Sequence, residues 1–110
     1  MTKLPPQPEA SLQKQVIDLA RLNGFLVHHV RPAMTSKGYR TAVQGDVGFC
    51  DLVLVKPPRV LFRELKAQKG RVAPEQQAWL DCLQASGADA RVWRPSDWDE
   101  IVQTLTGEAR

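Results

Sequence analysis

Cysteine is scarce in this chain, and its placement excludes more than it suggests. Cys50 and Cys82 stand far apart, and neither belongs to a CxxC pair. A zinc ribbon and a disulfide framework are therefore set aside, and both thiols are expected to be free and buried, in a reducing compartment. Long apolar runs are missing too. None approaches the ~20 residues that cross a bilayer. The opening "MTKLPPQPEA" has no apolar segment of the signal-peptide kind. A cytoplasmic protein is the expectation. Internal repeats and low-complexity tracts are also lacking, which excludes a solenoid or a compositionally biased linker.

What is present is ordinary in bulk and uneven in placement. At 110 residues, 43% apolar and 25% charged, the chain fits one small globular domain with one core. The net charge is only +3. Yet residues 56–71 hold Lys56, Arg59, Arg63, Lys66, Lys69 and Arg71 against Glu64 alone, while residues 75–110 hold seven acids against three arginines. A basic middle before an acidic end suggests a local site for polyanions, with a solvated charged face as the plainer alternative.

Residues 1–8, with "LPPQP", read as an extended, mobile lead-in to a single domain over 9–107. From Glu9 to Asn23 the residues Leu12, Val16, Leu19, Ala20 and Asn23 share a helical stripe that Gly24 ends. "FLVHHV" (25–30) is a short strand. Its adjacent His28 and His29 point to opposite faces, one at the core edge and one exposed, and a metal role for either is the weaker reading. "RPAMTSKGYRTAVQGDVG" (31–48) is too long for a simple turn and reads as a functional loop. "DLVLV" (51–55) and "VLFREL" (60–65) are strands around "KPPR", whose prolines argue against a tight primed turn and predict a wider loop. "PEQQAWLDCLQASG" is a helix with Pro74 at its first position and Gly87 at its end. "ARVWR" (90–94) is a strand. "SDWDEIVQTL" is a last helix, capped by Ser96, with Trp98, Ile101, Val102 and Leu105 on one face. The order α-β-β-β-α-β-α describes one layered α/β domain.

Residues two apart on a strand share a face, so Glu64 and Lys66 project together. A symmetric "KPPR" loop sets Val55 against Val60, and counting outward sets Asp51 against Glu64, with Cβ atoms roughly 4.5–5.5 Å apart. Two carboxylates that close repel unless one takes a proton or a cation sits between them. A small set of hard oxygen donors suits Mg²⁺ or Mn²⁺. An ion-pair cluster at a strand end is the competing reading. Helical phasing adds two residues. At ~100° per residue, Glu9 falls on the stripe of Leu12, Val16 and Ala20. Gln76 falls on that of Trp79, Leu80 and Leu83, and Gln77 falls off it. Singly, each reads as a first-turn polar residue suited to the helix dipole or to solvent. Together they surround the strand patch if both helices pack on that sheet.

In this order the residues resemble the VRR-NUC family of the PD-(D/E)XK nuclease superfamily. Asp51 looks like the acid of the "PD" half, and Glu64-Leu65-Lys66 like the E-x-K half. "GFCDLVLV" is similar to the family's G-x-P-D-L stretch, with Gly48 at its permissive position. "PEQQAW" carries its Q-x-x-W spacing at Gln76 and Trp79, and Glu9 falls where the family has a leading acid. Cys50 replaces the usual proline, and Ala73 stands where a capping Ser or Thr is common. E-x-K alone would be a weak motif. The ordered set, spread from Glu9 to the last helix, is a strong one.

The resemblance implies a nuclease core with a mixed central sheet flanked by helices. It implies an endonuclease that hydrolyses DNA phosphodiesters with Mg²⁺ or Mn²⁺ bound by Asp51, Glu64 and the Leu65 backbone carbonyl, and Glu9 as a further ligand. Lys66 would orient or deprotonate the attacking water, and Gln76 would position Lys66 or a phosphate oxygen. Arg31, Lys37 and Arg40 in the long loop, with Lys69 and Arg71, would grip the DNA backbone, and Tyr39 could stack on a base. Standalone members resemble Holliday-junction resolvases, so a homodimer acting on branched DNA in repair, recombination or phage replication is expected. The alternatives are a non-catalytic DNA-structure-binding module and a nuclease subunit of a larger assembly. Against a pure binder stand two carboxylates that would repel DNA without a cation.

Overall fold

The computed structural model describes residues 9–30, 33–35, 38–40 and 43–107, with 33–35 and 38–40 described by backbone alone. The lead-in at 1–8, Arg31 and Lys37 lie outside the described residues, as do the side chains of Tyr39 and Arg40.

Helix α1 spans Glu9–Leu22 and buries Leu12, Val16 and Ala20 completely. Their spacing of four keeps them on one narrow stripe. At φ +87°, Gly24 lets the chain leave the helix and turn directly into strand β1, Leu26–His29. A small hairpin follows, β2 (Ala33–Thr35) with β3 (Gly38–Arg40), within the segment expected to be a long functional loop. Then come β4 (Leu52–Lys56), β5 (Arg59–Leu65), helix α2 (Pro74–Ala85), β6 (Asp89–Trp93), a single 3₁₀ turn (Pro95–Asp97) and helix α3 (Trp98–Thr106).

The main sheet has the order β1-β4-β5-β6. The first three strands are antiparallel, and β6 lies parallel to β5, with α2 as the crossover. This is the mixed sheet and the core element order expected from the sequence. The β4–β5 register is also the expected one: Val55 pairs with Val60 and Leu52 with Arg63. The ladder runs one pair further, to Lys56 and Arg59, so the predicted wider loop is corrected. Only Pro57 and Pro58 form the turn, joined by a cis peptide.

Strand alternation divides the sheet's contacts. Leu52, Leu54, Leu61, Leu65 and Trp93 face α1 and α3, where they close a core with Val16, Ile101 and Leu105. Phe62 and Ala90 look the other way, toward α2. There Phe49 meets Phe62 and Trp79 edge-on, at centroid distances of 6.1 and 4.9 Å. The two helices carrying Glu9 and Gln76 thus pack on opposite faces and reach the same end of the sheet from two sides.

Four further expectations are corrected. Ser96 does not cap α3. Pro95 starts a 3₁₀ turn instead, the Asp97 carboxylate accepts the Arg94 N–H at 2.8 Å, and the Ser96 N–H donates to the Gln68 side chain at 3.0 Å. Cys50 is buried, but Cys82 is exposed on the outer side of α2. The long segment 31–48 contains the β2–β3 hairpin. The basic middle of the chain is not one patch, because two of its arginines are structural. Arg63 is 1% exposed on the α1 side, with its guanidinium 4.5 Å from the Trp93 ring centroid and 3.0 Å from Asp89. Arg59 donates to the Thr104 carbonyl near the end of α3 and lies over Phe25. Among the described residues no helix is long and apolar enough to cross a membrane.

Candidate active site

The site forms where β4 begins and β5 ends. Asp51 immediately precedes β4, and its Oδ2 accepts the Leu65 N–H at 2.8 Å. That bond ties the acidic side chain to the end of β5, beside Glu64. Glu64 is 1% exposed, an unusual place for a carboxylate. Two donors reach its Oε2: the Gln76 amide at 3.3 Å and the Lys66 ammonium at 3.8 Å. Its Oε1 is buried with no hydrogen-bond partner. Burial pushes the Glu64 carboxyl up to about 9. The neighbouring Asp51 carboxylate pushes the same way, and Lys66 opposes it.

Glu9, at the first position of α1, feels the same centre. Its carboxyl is raised by partial burial and then by Asp51, and lowered by Lys66. Asp51, Glu64, Lys66, Gln76 and Glu9 are therefore brought together. Gln77 points away and bonds Asp81 instead. A cleft of about 800 Å³ lies beside this group, lined by Glu9, Gln13, His29, Asp51, Phe49 and Gln76.

Local backbone geometry holds the cleft's two walls. Gly48 has φ +99°, and a Cβ there would lie 2.6 Å from the backbone carbonyl of Glu75. Only glycine lets the segment leading to Asp51 press against the first turn of α2. The Trp79 indole N–H donates to the Asp46 carbonyl at 3.3 Å, docking the same loop. At the N-terminus of α2, Ala73 offers no side-chain cap, and Gln76 Oε1 accepts the Ala73 N–H at 2.8 Å. Gln76 thus spends its oxygen on the helix start and its nitrogen on Glu64, which fixes its orientation. Beyond β5, Arg94 donates to the carbonyls of Ala67 and Gly70 at 2.8 and 2.7 Å. It clamps the loop that presents Lys69 and Arg71, both exposed.

Residues 27–97 of the chain match the VRR-NUC domain model. The chain belongs to the VRR-NUC family. A VRR-NUC domain is a nuclease-type, DNA-binding domain, and the matched stretch contains Asp51, Glu64, Lys66 and Gln76, while Glu9 precedes it. No curated protein and no solved structure matches the chain. Cys50, next to Asp51 in this VRR-NUC domain, is buried. Burial, then the Glu64 charge, raises its thiol to about 11, so it stays a neutral, packed side chain rather than a thiolate ligand.

Among the described residues no group of three His, Cys, Asp or Glu side chains encloses a cation by itself. The oxygens that are present still fit a hard divalent ion. Two carboxylates lie against each other, one with a buried orphan oxygen, beside a cleft with room for water and phosphate. Sequence reasoning passed over Gln13 and the Arg94 clamp and left His29 without a role at the cleft. The signal for Gln13 was available, since it stands one helical turn after Glu9. The Arg94 clamp joins residues far apart in sequence and left no local trace.

Proposed function

We propose that this VRR-NUC domain is a divalent-metal-dependent endonuclease that hydrolyses DNA phosphodiesters and selects branched or otherwise distorted DNA. The observation that carries the reading is the buried Glu64, set against Asp51 with one oxygen unsatisfied and Lys66 and Gln76 on the other. Burying such a pair costs stability unless a cation later compensates it. Asp51, Glu64 and the Leu65 carbonyl would hold Mg²⁺ or Mn²⁺, with Glu9 completing the set. Such an ion lowers the pKa of bound water and offsets charge on the scissile phosphate.

The chain's own residues do the rest. Asp51 is aimed by the Leu65 N–H. Lys66, with its Nζ 3.8 Å from Glu64 Oε2, would orient the attacking water or neutralise charge growing on a phosphate oxygen. The Gln76 amide donates to Glu64 Oε2 and keeps it in place. Lys69 and Arg71, exposed on the clamped loop, bind backbone phosphates. Arg31, Lys37 and Arg40, expected from the sequence to contact backbone phosphates as well, belong to the same proposal.

A homodimer with two sites is part of the same proposal, in an intracellular setting. Leu26, Val55 and Val60 form one row across β1, β4 and β5 on the α2 side, with Leu26 76% and Val60 45% exposed. A second copy would cover such a row.

The test is cleavage of supercoiled plasmid and synthetic four-way junctions with Mg²⁺ or Mn²⁺. The parent is expected to cut, Lys66→Ala to lose ~10²–10⁴-fold in kcat, and Glu64→Ala to show no cleavage. Junction binding without metal-dependent cleavage, unchanged by either substitution, would establish the binding-module alternative instead.

A further inference from the structure

The cleft beside Glu9 and Asp51 has a lining that metal chemistry does not account for. Val30, just after β1, and Val43, Val47 and Phe49, ahead of Asp51, all line it, and all four are exposed. Val47 is 58% and Phe49 39% open. Exposed apolar side chains are ordinary when scattered, but gathered in one concavity they mark a binding groove. Phe49 is also held in place, edge-on against both Phe62 and Trp79. The charge in the lining is of one sign. Glu9, Asp46, Asp51 and Glu75 contribute carboxylates, and among the described residues that line the cleft none is a lysine or an arginine. Lys66, Lys69 and Arg71 are not part of it. Four carboxylates repel a phosphodiester, except where an ion at Asp51 bridges to it. An uncharged group with a broad apolar face escapes that repulsion. A nucleic-acid strand carries one such group per nucleotide, its base. The face of a base stacks on aromatic side chains, and the edges of adenine, cytosine and guanine carry amino donors that carboxylates accept.

We propose that this cleft receives an unpaired base of the DNA strand, laid against Phe49 and Val47 next to the phosphate that is cut. The flanking phosphates follow Lys69 and Arg71 outside it. The proposal rests on the nuclease reading and names what selects the substrate. A base in intact duplex must first be unpaired and unstacked before it can enter, whereas at a bulge or branch point that cost has already been met. Phe49 and Val47 determine specificity in this scheme: they touch the base and take no part in breaking the phosphodiester.

The experiment measures binding of two fluorescein-labelled DNA duplexes to the full chain, in EDTA and again in Ca²⁺, over a series of salt concentrations. One duplex carries a single bulged nucleotide, and the other carries the same bulge without its base, as a tetrahydrofuran abasic site. Their phosphates are identical, so a difference in affinity belongs to the base. The parent is expected to bind the first about tenfold more tightly, within the range of one base stacked on an aromatic ring. The salt slopes should be equal, because a base releases no counterion. Phe49→Leu should reduce the difference to about twofold, and Val47→Ser should fall between. If Phe49→Leu does not fold, Val47→Ser decides. Equal affinity of the parent for the two duplexes would overturn the subsite, as would a failure to bind either one in both media. So would a difference that survives in Phe49→Leu, or in Val47→Ser where that variant alone folds. A Val47→Ser chain that keeps the difference and halves the parent's mass in light scattering would give the apolar rim to a second copy instead. Plasmid cleavage tests the underlying reading separately. A parent that prefers the base but cuts nothing with Mg²⁺ or Mn²⁺ keeps the subsite and loses the nuclease, and a parent that cuts without that preference does the reverse.

Discussion

Glu64 concentrates the physics of the molecule in one side chain. Its carboxyl is raised in the folded state to about 9, while in the unfolded chain it titrates near 4.3. The folded state therefore holds a proton that the unfolded state has lost across that interval, and stability falls as pH rises through it. Metal-free protein should show a melting temperature that declines from about pH 5 to pH 9. In Glu64→Gln, which cannot ionise, that decline should largely vanish. Thermal melts of both proteins at several pH values, without added metal, check this. Parallel pH dependences for the two would contradict it. The pairing that creates this behaviour was legible in the sequence. Period-two alternation put Glu64 and Lys66 on one face, and hairpin counting brought Asp51 opposite. The burial of Glu64 was not legible, because it depends on α2, Cys50 and Gln76 closing over the strand end. Arg63 was misread for the same reason. A strand's sequence alternates faces, but it does not say that Trp93 and Asp89 wait on one of them to take up a guanidinium.

Elements meet the site through a small number of close approaches. The tightest is Gly48 against the first turn of α2, where a Cβ would fall 2.6 Å from the Glu75 carbonyl. Gly87 offers the internal comparison: it also has positive φ, at +86°, but a Cβ there would meet nothing within 4 Å. Gly87→Ala should cost about 1 kcal/mol from its backbone conformation alone. Gly48→Ala should cost about 2 kcal/mol or more, because the segment leading to Asp51 must also move off α2. Denaturant unfolding of both variants measures the difference, and equal costs would show that the close approach is not needed. Helix and strand identities were readable from periodicity and from the Pro74, Gly24 and Gly87 punctuation. The element ends were less so. The Pro57–Pro58 turn came out tighter than its prolines suggested, and the start of α3 was set by a 3₁₀ turn rather than by Ser96. Both depend on backbone choices that composition does not specify.

For the whole molecule, one sheet brings together residues from opposite ends of the chain: Glu9 on α1, Asp51 and Glu64 at the strand ends, Gln76 on α2. Its far end leaves the Leu26–Val55–Val60 row open. Light scattering should give twice the monomer mass, and Leu26→Glu with Val60→Lys should return it to the monomer while melting temperature measured at low concentration stays near the parent's. A parent that is monomeric at micromolar concentration would rule out the dimer. On the proposed function, the Asp51–Glu64 pair would be a cation site that holds a proton until the ion arrives. Calorimetric titration of Mn²⁺ into metal-free protein at pH 7, in two buffers of different ionisation enthalpy, measures that exchange directly. The account predicts binding with release of about one proton, and much weaker binding with no proton released in Glu64→Gln. Binding without proton release, unchanged in Glu64→Gln, or no binding at all would contradict it.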